Sequence, residues 1–162
     1  MGGQPAVPFF ADVVQAENEL KALRLANPEL EDDVDITPAG LGNAFVAHSQ
    51  GAGMLIPSTA DMNAASVDAA SVDTILPMYA CMELASDRLD GVSCIPLFVA
   101  LADAQAAVAQ ATAEMAPEKP LQINVVSLDW AVEQMCTADD APTFRFVASS
   151  ASVNAIRAAT GV

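Results

Sequence analysis

The 162-residue sequence predicts an α+β fold, a mostly helical body followed by a small C-terminal β-sheet. Three observations lead there. Apolar residues recur at steps of three and four over helices near 9–27, 58–76, 77–90 and 96–116. After residue 120 that period gives way to alternation, and prolines and glycines punctuate the segments. Without the late alternation the same stripes describe an all-α bundle, which is the alternative. The length is that of one ordinary domain, so 1–162 is expected to be a single domain with a long Gly/Pro/acidic loop at about 28–57.

In the first helix Phe10, Val13, Ala16, Leu20 and Leu23 share a face, Glu17 and Lys21 form an i,i+4 pair on the other, and Pro28 stops the run. The loop that follows carries Glu31-Asp32-Asp33-Val34-Asp35 and at most a short strand near 44–47. Asp33 and Asp35 match the first and third positions of an EF-hand loop. Pro38 and Ala44 stand where that loop needs Gly and Glu, which favours a solvated acidic loop over a calcium site.

Ser58-Thr59-Ala60-Asp61 reads as a capping box opening the second helix, which runs into the tandem pentads 64–68 and 69–73. A step of five turns about 140° around a helix, so the copies face different ways and the duplication is low complexity. Pro77 opens a third helix with Met78, Cys81, Met82, Ala85 and Leu89 on one face, and Gly91 ends it. Pro96 opens a fourth, with Leu97, Leu101, Ala104, Val108, Ala111 and Met115 as its stripe. The short link between them predicts an antiparallel helical hairpin. On that hairpin Cys81 and Cys94 lie roughly 20 Å apart, too far for a disulfide, and buried free thiols are expected. Finally, 121–126 and 143–147 alternate with β-branched residues as strands, 127–135 forms a short helix between them, and 153–156 closes the sheet.

The charge balance is 21 acids against six bases, a net −15. Binding to a phosphate backbone needs clustered Lys and Arg, so nucleic acid is excluded as a direct partner. An anionic membrane surface is disfavoured too, whereas a basic protein partner or a salty environment suits the balance. The longest uncharged apolar run, 91–102, contains Pro96 and is too short to span a bilayer, so no membrane insertion is expected. Three cysteines without CxxC or Cys/His spacing give no disulfide framework and no zinc site.

One stretch looks like named chemistry. Ala47-His48-Ser49-Gln50-Gly51 resembles the nucleophile elbow of α/β-hydrolases, and the resemblance implies a nucleophilic Ser49 on a strand-to-helix turn. The triad order of that family needs a histidine far downstream, yet the single histidine is His48, adjacent to the serine. A polar turn is the simpler reading.

With apolar residues at 53%, bulky clusters exceed what one small core requires. Phe9, Phe10, Leu55, Ile56, Leu97, Leu101 and Val108 are the candidate partner-binding residues. The expected function is a non-catalytic structural or accessory subunit of a larger assembly, a minor or decorating protein of a virion or shell, with other protein subunits, self or hetero, as partners and no cofactor or metal. One alternative is an accessory subunit of a membrane-bound photosynthetic or respiratory complex. Another, from the enzyme class, is a small serine- or metal-dependent hydrolase around His48 and Ser49.

Overall fold

The computed structural model describes residues 6–30, 33–65, 76–87, 93–137 and 143–161. Its elements in chain order are β1 (Val7–Phe10), α1 (Val13–Ala26), α2 (Leu41–Ser49), β2 (Gly53–Ile56), α3 (Thr59–Ala64), β3 (Pro77–Ala80), β4 (Ser86–Asp87), β5 (Ser93–Phe98), α4 (Leu101–Met115), β6 (Asn124–Ser127), α5 (Leu128–Thr137), β7 (Thr143–Val147) and α6 (Ser150–Thr160). They group into two compact units: the first takes residues up to 58 together with 151 onward, the second 59–150.

The first unit is built on a parallel β1–β2 ribbon, in register from Val7↔Gly53 to Phe10↔Ile56. Parallel strands need a long crossover, here supplied by α1 and α2. Asp12 starts α1, its Oδ1 accepting the Val14 N–H at 2.8 Å. Helix α2 ends where Gly51 turns left-handed at φ 72°. There the Ala52 N–H donates to the Ala47 carbonyl and the Gly51 N–H to the His48 carbonyl, both at 2.9 Å, the two-bond C-terminal cap that favours glycine. The Phe9 ring of β1 and helix α2 both close on β2 at Gly53, where a Cβ would stand 2.7 Å from Phe9 Cε2 and 3.0 Å from Ala47 Cβ.

In the second unit β5 is central, with β7 parallel on one side and β3 followed by β4 antiparallel on the other; β6 pairs the far side of β3. Pro96 is tolerated in this central strand because β3 pairs only as far as Leu97 and β4 takes over at Cys94. The missing N–H thus falls where the neighbouring strand leaves the sheet. One sheet face carries Tyr79 and Phe98, which cluster with Leu101 and Ala104 of α4, flanked by Ala65, Ala107, Ile123 and Val147. Phe144 has the opposite parity to Val147 and meets Trp130 of α5, ring centroids 5.7 Å apart, so α5 packs on the other face. Tyr79, Met78, Leu97 and Leu128 are fully buried, each stabilising by roughly 2–3 kcal/mol. Ala100, the N-cap residue of α4, has no capping side chain. Asp61 from α3 substitutes, its Oδ2 accepting the Leu101 N–H at 3.0 Å.

The two units share one motif. Val7-Pro8-Phe9-Phe10 and Ile95-Pro96-Leu97-Phe98 are both strands, and the sequence runs on without a gap into α1 and α4. Ala16 and Ala104 stand at the same spacing from each proline, and both are buried. Pro8 pairs with Met54 as Pro96 pairs with Arg145. The Ala11 N–H reaches the Ile56 carbonyl at 2.9 Å, as the Val99 N–H reaches that of Val147 at 3.1 Å. Two residues beyond those carbonyls stand Ser58 and Ser149, both buried. Helix α3, which follows β2, belongs to the second unit, and most of α6, which follows β7, to the first.

Several sequence expectations need correction. The all-α alternative fails: the fold is mixed, with two sheets among the described residues. The helix expected near 9–27 begins only at Val13, because Val7–Phe10 is a strand. The helix expected near 58–76 is seen as Thr59–Ala64, and 66–75, with most of the pentads, lies outside the described residues. Residues 77–90 are not helical: Pro77–Ala80 is a strand buried on both faces, an apolar run without alternation, and 88–90 lie outside the described residues. The helix near 96–116 splits into β5 and α4, so the helical hairpin and the spacing it implied for Cys81 and Cys94 do not exist. Strands β6 and β7 join a sheet that starts at Pro77, and 153–156 is helical. The loop at 28–57 contains α2 across 44–47, and then β2.

Gly53→Ala is expected to destabilise the chain by about 1–3 kcal/mol, because Phe9 and Ala47 must both give way. Chemical denaturation measures it, and a change below about 0.5 kcal/mol contradicts the close approach. Tyr79 supplies a second prediction. It is the single tyrosine, and its hydroxyl has no hydrogen-bond partner among the described residues. Burial first and the charge of Asp61 second push it up to about 12. An unfolded tyrosine ionises near 10, so the fold favours the neutral hydroxyl. That stability is fully present below about pH 10 and is lost as pH rises towards 12. Ultraviolet titration of the folded protein should give a midpoint near 12, and Tyr79→Phe should reduce the alkaline loss. A midpoint near 10 in folded protein contradicts this placement.

Candidate protein-contact surface

The residues expected to bind partners divide into two groups. Phe9, Phe10, Leu55 and Ile56 come together as facing pairs of the β1–β2 ribbon, Phe9↔Leu55 and Phe10↔Ile56. Leu97 and Leu101 are instead buried in the core of the second unit, and Val108 is half-buried on α4. Leu97 has no surface to offer, because both neighbouring strands and the helices cover it. A bulky cluster in sequence marks a paired strand as readily as a surface.

Alternation gives the ribbon two faces. Val7, Phe9, Gly53 and Leu55 share the face against which α2 packs, and Leu55 is buried there. Pro8, Phe10, Met54 and Ile56 share the other. On that second face Met54 is 50% exposed, Pro8 is exposed, and Phe10 and Ile56 are half-buried. Val7, at the start of β1, is 56% exposed. This apolar face is thus open at its Pro8–Met54 end and partly covered at its Phe10–Ile56 end, whereas parallel strands are ordinarily covered on both sides. Its methionine is flexible and polarizable, suited to partners of varied shape.

The ribbon also has edges. The N–H groups of Val7 and Ala11 point to β2, donating to Ala52 and Ile56. By alternation the backbone groups of Pro8 and Phe10 point the other way. No strand pairs with that edge among the described residues. Pro8 lacks an N–H, so this stretch offers a single donor, on Phe10, a common way of blunting an edge. On β2 the outward Gly53 carbonyl lies 3.1 Å from His48 Nδ1.

Ser49 and His48 do not stand in the arrangement that the elbow resemblance implies. Ser49 sits at the end of α2, not on a strand-to-helix elbow, and its Oγ donates to the Val46 carbonyl at 2.9 Å. His48 is turned to Gly53. Burial and the hydrogen bond to Glu83 push the Cys81 thiol up, which favours the protonated form, and its Sγ–H donates to Glu83 Oε2 at 3.2 Å. All three cysteines are free; Cys81 and Cys94 are buried and Cys136 is exposed. No group of acids, histidines and cysteines among the described residues could hold a metal ion. No helix among them is long and apolar enough to cross a membrane.

Pro8 was missed by sequence reasoning, although the shared Val/Ile-Pro-x-Phe pattern could have located it. No family model and no curated protein sequence matches this chain. Solved structures do. The chain is similar to Tic22 from Plasmodium falciparum, with a TM-score of 0.68 at 20% identity, over 96% of this chain and 83% of that one. It is also similar to Anabaena Tic22, described as protein transport, with a TM-score of 0.66 at 16% identity over 93% and 78% of the two chains. These neighbours correct the expected virion or shell protein and the expected accessory subunit of a photosynthetic or respiratory complex. The apolar excess that suggested both lies largely in paired strands and alanine-rich helices. The chain has the fold of the Tic22 structures.

Proposed function

We propose that this chain is a protein-transport factor that holds polypeptides in transit on the Pro8, Phe10, Met54, Ile56 face, without covalent chemistry. The likeness to the Tic22 structures, spanning nearly the whole chain, carries this reading. The exposed apolar ribbon supports it, since a contiguous apolar patch on a folded chain marks a contact surface. Its partners are other proteins, and the net −15 favours clients that are neutral or basic. The engagement of Ser49 and His48 with backbone carbonyls agrees with a non-enzymatic role.

The test is capture of an unfolded client. The chain, titrated into a chemically unfolded, aggregation-prone basic protein, should suppress light scattering at near-stoichiometric ratios. Met54→Glu should raise the amount needed by about fivefold or more, equivalent to about 1 kcal/mol. Val46→Glu, at an exposed position of α2, should leave it unchanged. Both variants should keep wild-type stability within about 0.5 kcal/mol. No suppression by the wild-type chain, or equal effects of the two variants, contradicts the reading.

A further inference from the structure

We infer that the outer edge of β1 accepts an extended client segment as an additional antiparallel strand. This rests on the transport reading above and specifies how the client is held. The shared motif supplies the reason. Strand β5 of the second unit has the same pattern as β1, and its equivalent edge is occupied: β3 pairs there antiparallel, Tyr79↔Phe98 and Ala80↔Leu97. Phe98 corresponds to Phe10, and the corresponding prolines, Pro96 and Pro8, stand two residues earlier. A Pro-bearing strand followed at once by a helix therefore accommodates an antiparallel neighbour on this side. In the first unit no strand takes that place among the described residues.

Backbone chemistry at the edge fits one short strand. The Phe10 N–H and carbonyl, with the Pro8 carbonyl, are the outward groups, and a single antiparallel residue can exchange two hydrogen bonds with Phe10. The missing Pro8 donor keeps the pairing brief, so release stays easy. Side chains of the added strand on the Phe10 side would continue the face formed by Pro8, Phe10, Met54 and Ile56, as Tyr79 continues the face of Phe98. An apolar residue opposite Phe10 is thus selected, and main-chain bonding leaves the rest of the sequence free. A second copy of this chain is the poorer occupant, because two partners each carrying −15 repel.

The full chain, isotopically labelled, can be probed with a capped eight-residue peptide alternating valine and threonine between terminal lysines. Binding is expected to slow amide exchange of Phe10 at least about tenfold while leaving Phe9, which faces β2, unchanged. N-methylation of one alternate set of peptide amides should weaken binding at least about tenfold, and of the other set less than about twofold. If the peptide binds with Phe10 exchange unaltered, or if both methylated peptides bind alike, strand addition is overturned. It is equally overturned if the chain captures unfolded clients but ignores the peptide, an outcome that leaves the transport reading intact. Doubling of the mass in solution with Phe10 protected before any peptide is added gives the edge to a second copy and overturns the client assignment.

Discussion

Everything in this chain is arranged around one pairing: a Val/Ile-Pro-x-Phe strand laid parallel to a strand far downstream in sequence. β1 with β2 and β5 with β7 are the two instances. Parallel strands cannot be joined by a tight turn, so each instance commits the intervening residues to helices that must pack back on the sheet. The packing is close because the contact residues are small. Ala16, Ala44, Ala104 and Ala131 are buried helical positions, as are Leu101 and Leu128, and Gly53 leaves room for the Phe9 ring. The abundance of alanine, which in the sequence looks like surplus hydrophobicity, is what lets helices approach strands at van der Waals distance.

The two instances differ in what covers them. Around β5 the sheet widens with β3, β4 and β6, and Tyr79, Met78 and Leu97 become fully buried. Around β1 the sheet has two strands among the described residues, and the same pattern leaves Met54 and Pro8 exposed. One motif thus lies in the core in one unit and on a partly exposed face in the other. The negative charge fits such a surface: an open apolar face on a neutral chain invites self-association, whereas strong like charge opposes it.

Much of the helical half of the fold was legible. The period-3.6 stripes of α1 and α4 stand in the sequence, as does the alternation in Thr143–Val147. The strand starts were not, for a physical reason: Val7–Phe10 and Pro77–Ala80 are short, uniformly apolar and adjacent to helical stripes, so periodicity cannot separate them from the helix. Proline compounded this. Pro77 and Pro96 suit a helix's first turn, yet both lie in strands, Pro96 where β3 hands over to β4. Of the candidate site, Phe9, Phe10, Leu55 and Ile56 were legible as bulky clusters. Their pairing was not, because it depends on a contact between distant segments that neither encodes locally.

The most direct measurement of the central claim is site-specific photo-crosslinking of the chain to an unfolded basic client. A benzophenone side chain is placed in turn at position 54 on the open ribbon face, at 46 on α2 and at 115 at the end of α4, all three exposed apolar positions. Crosslinks concentrated at 54 are the expected result, because of the three sites it alone lies on the apolar face of the β1–β2 ribbon, beside a strand edge left without a partner among the described residues. Equal yields at all three, or crosslinks at 46 or 115 without 54, would contradict the account.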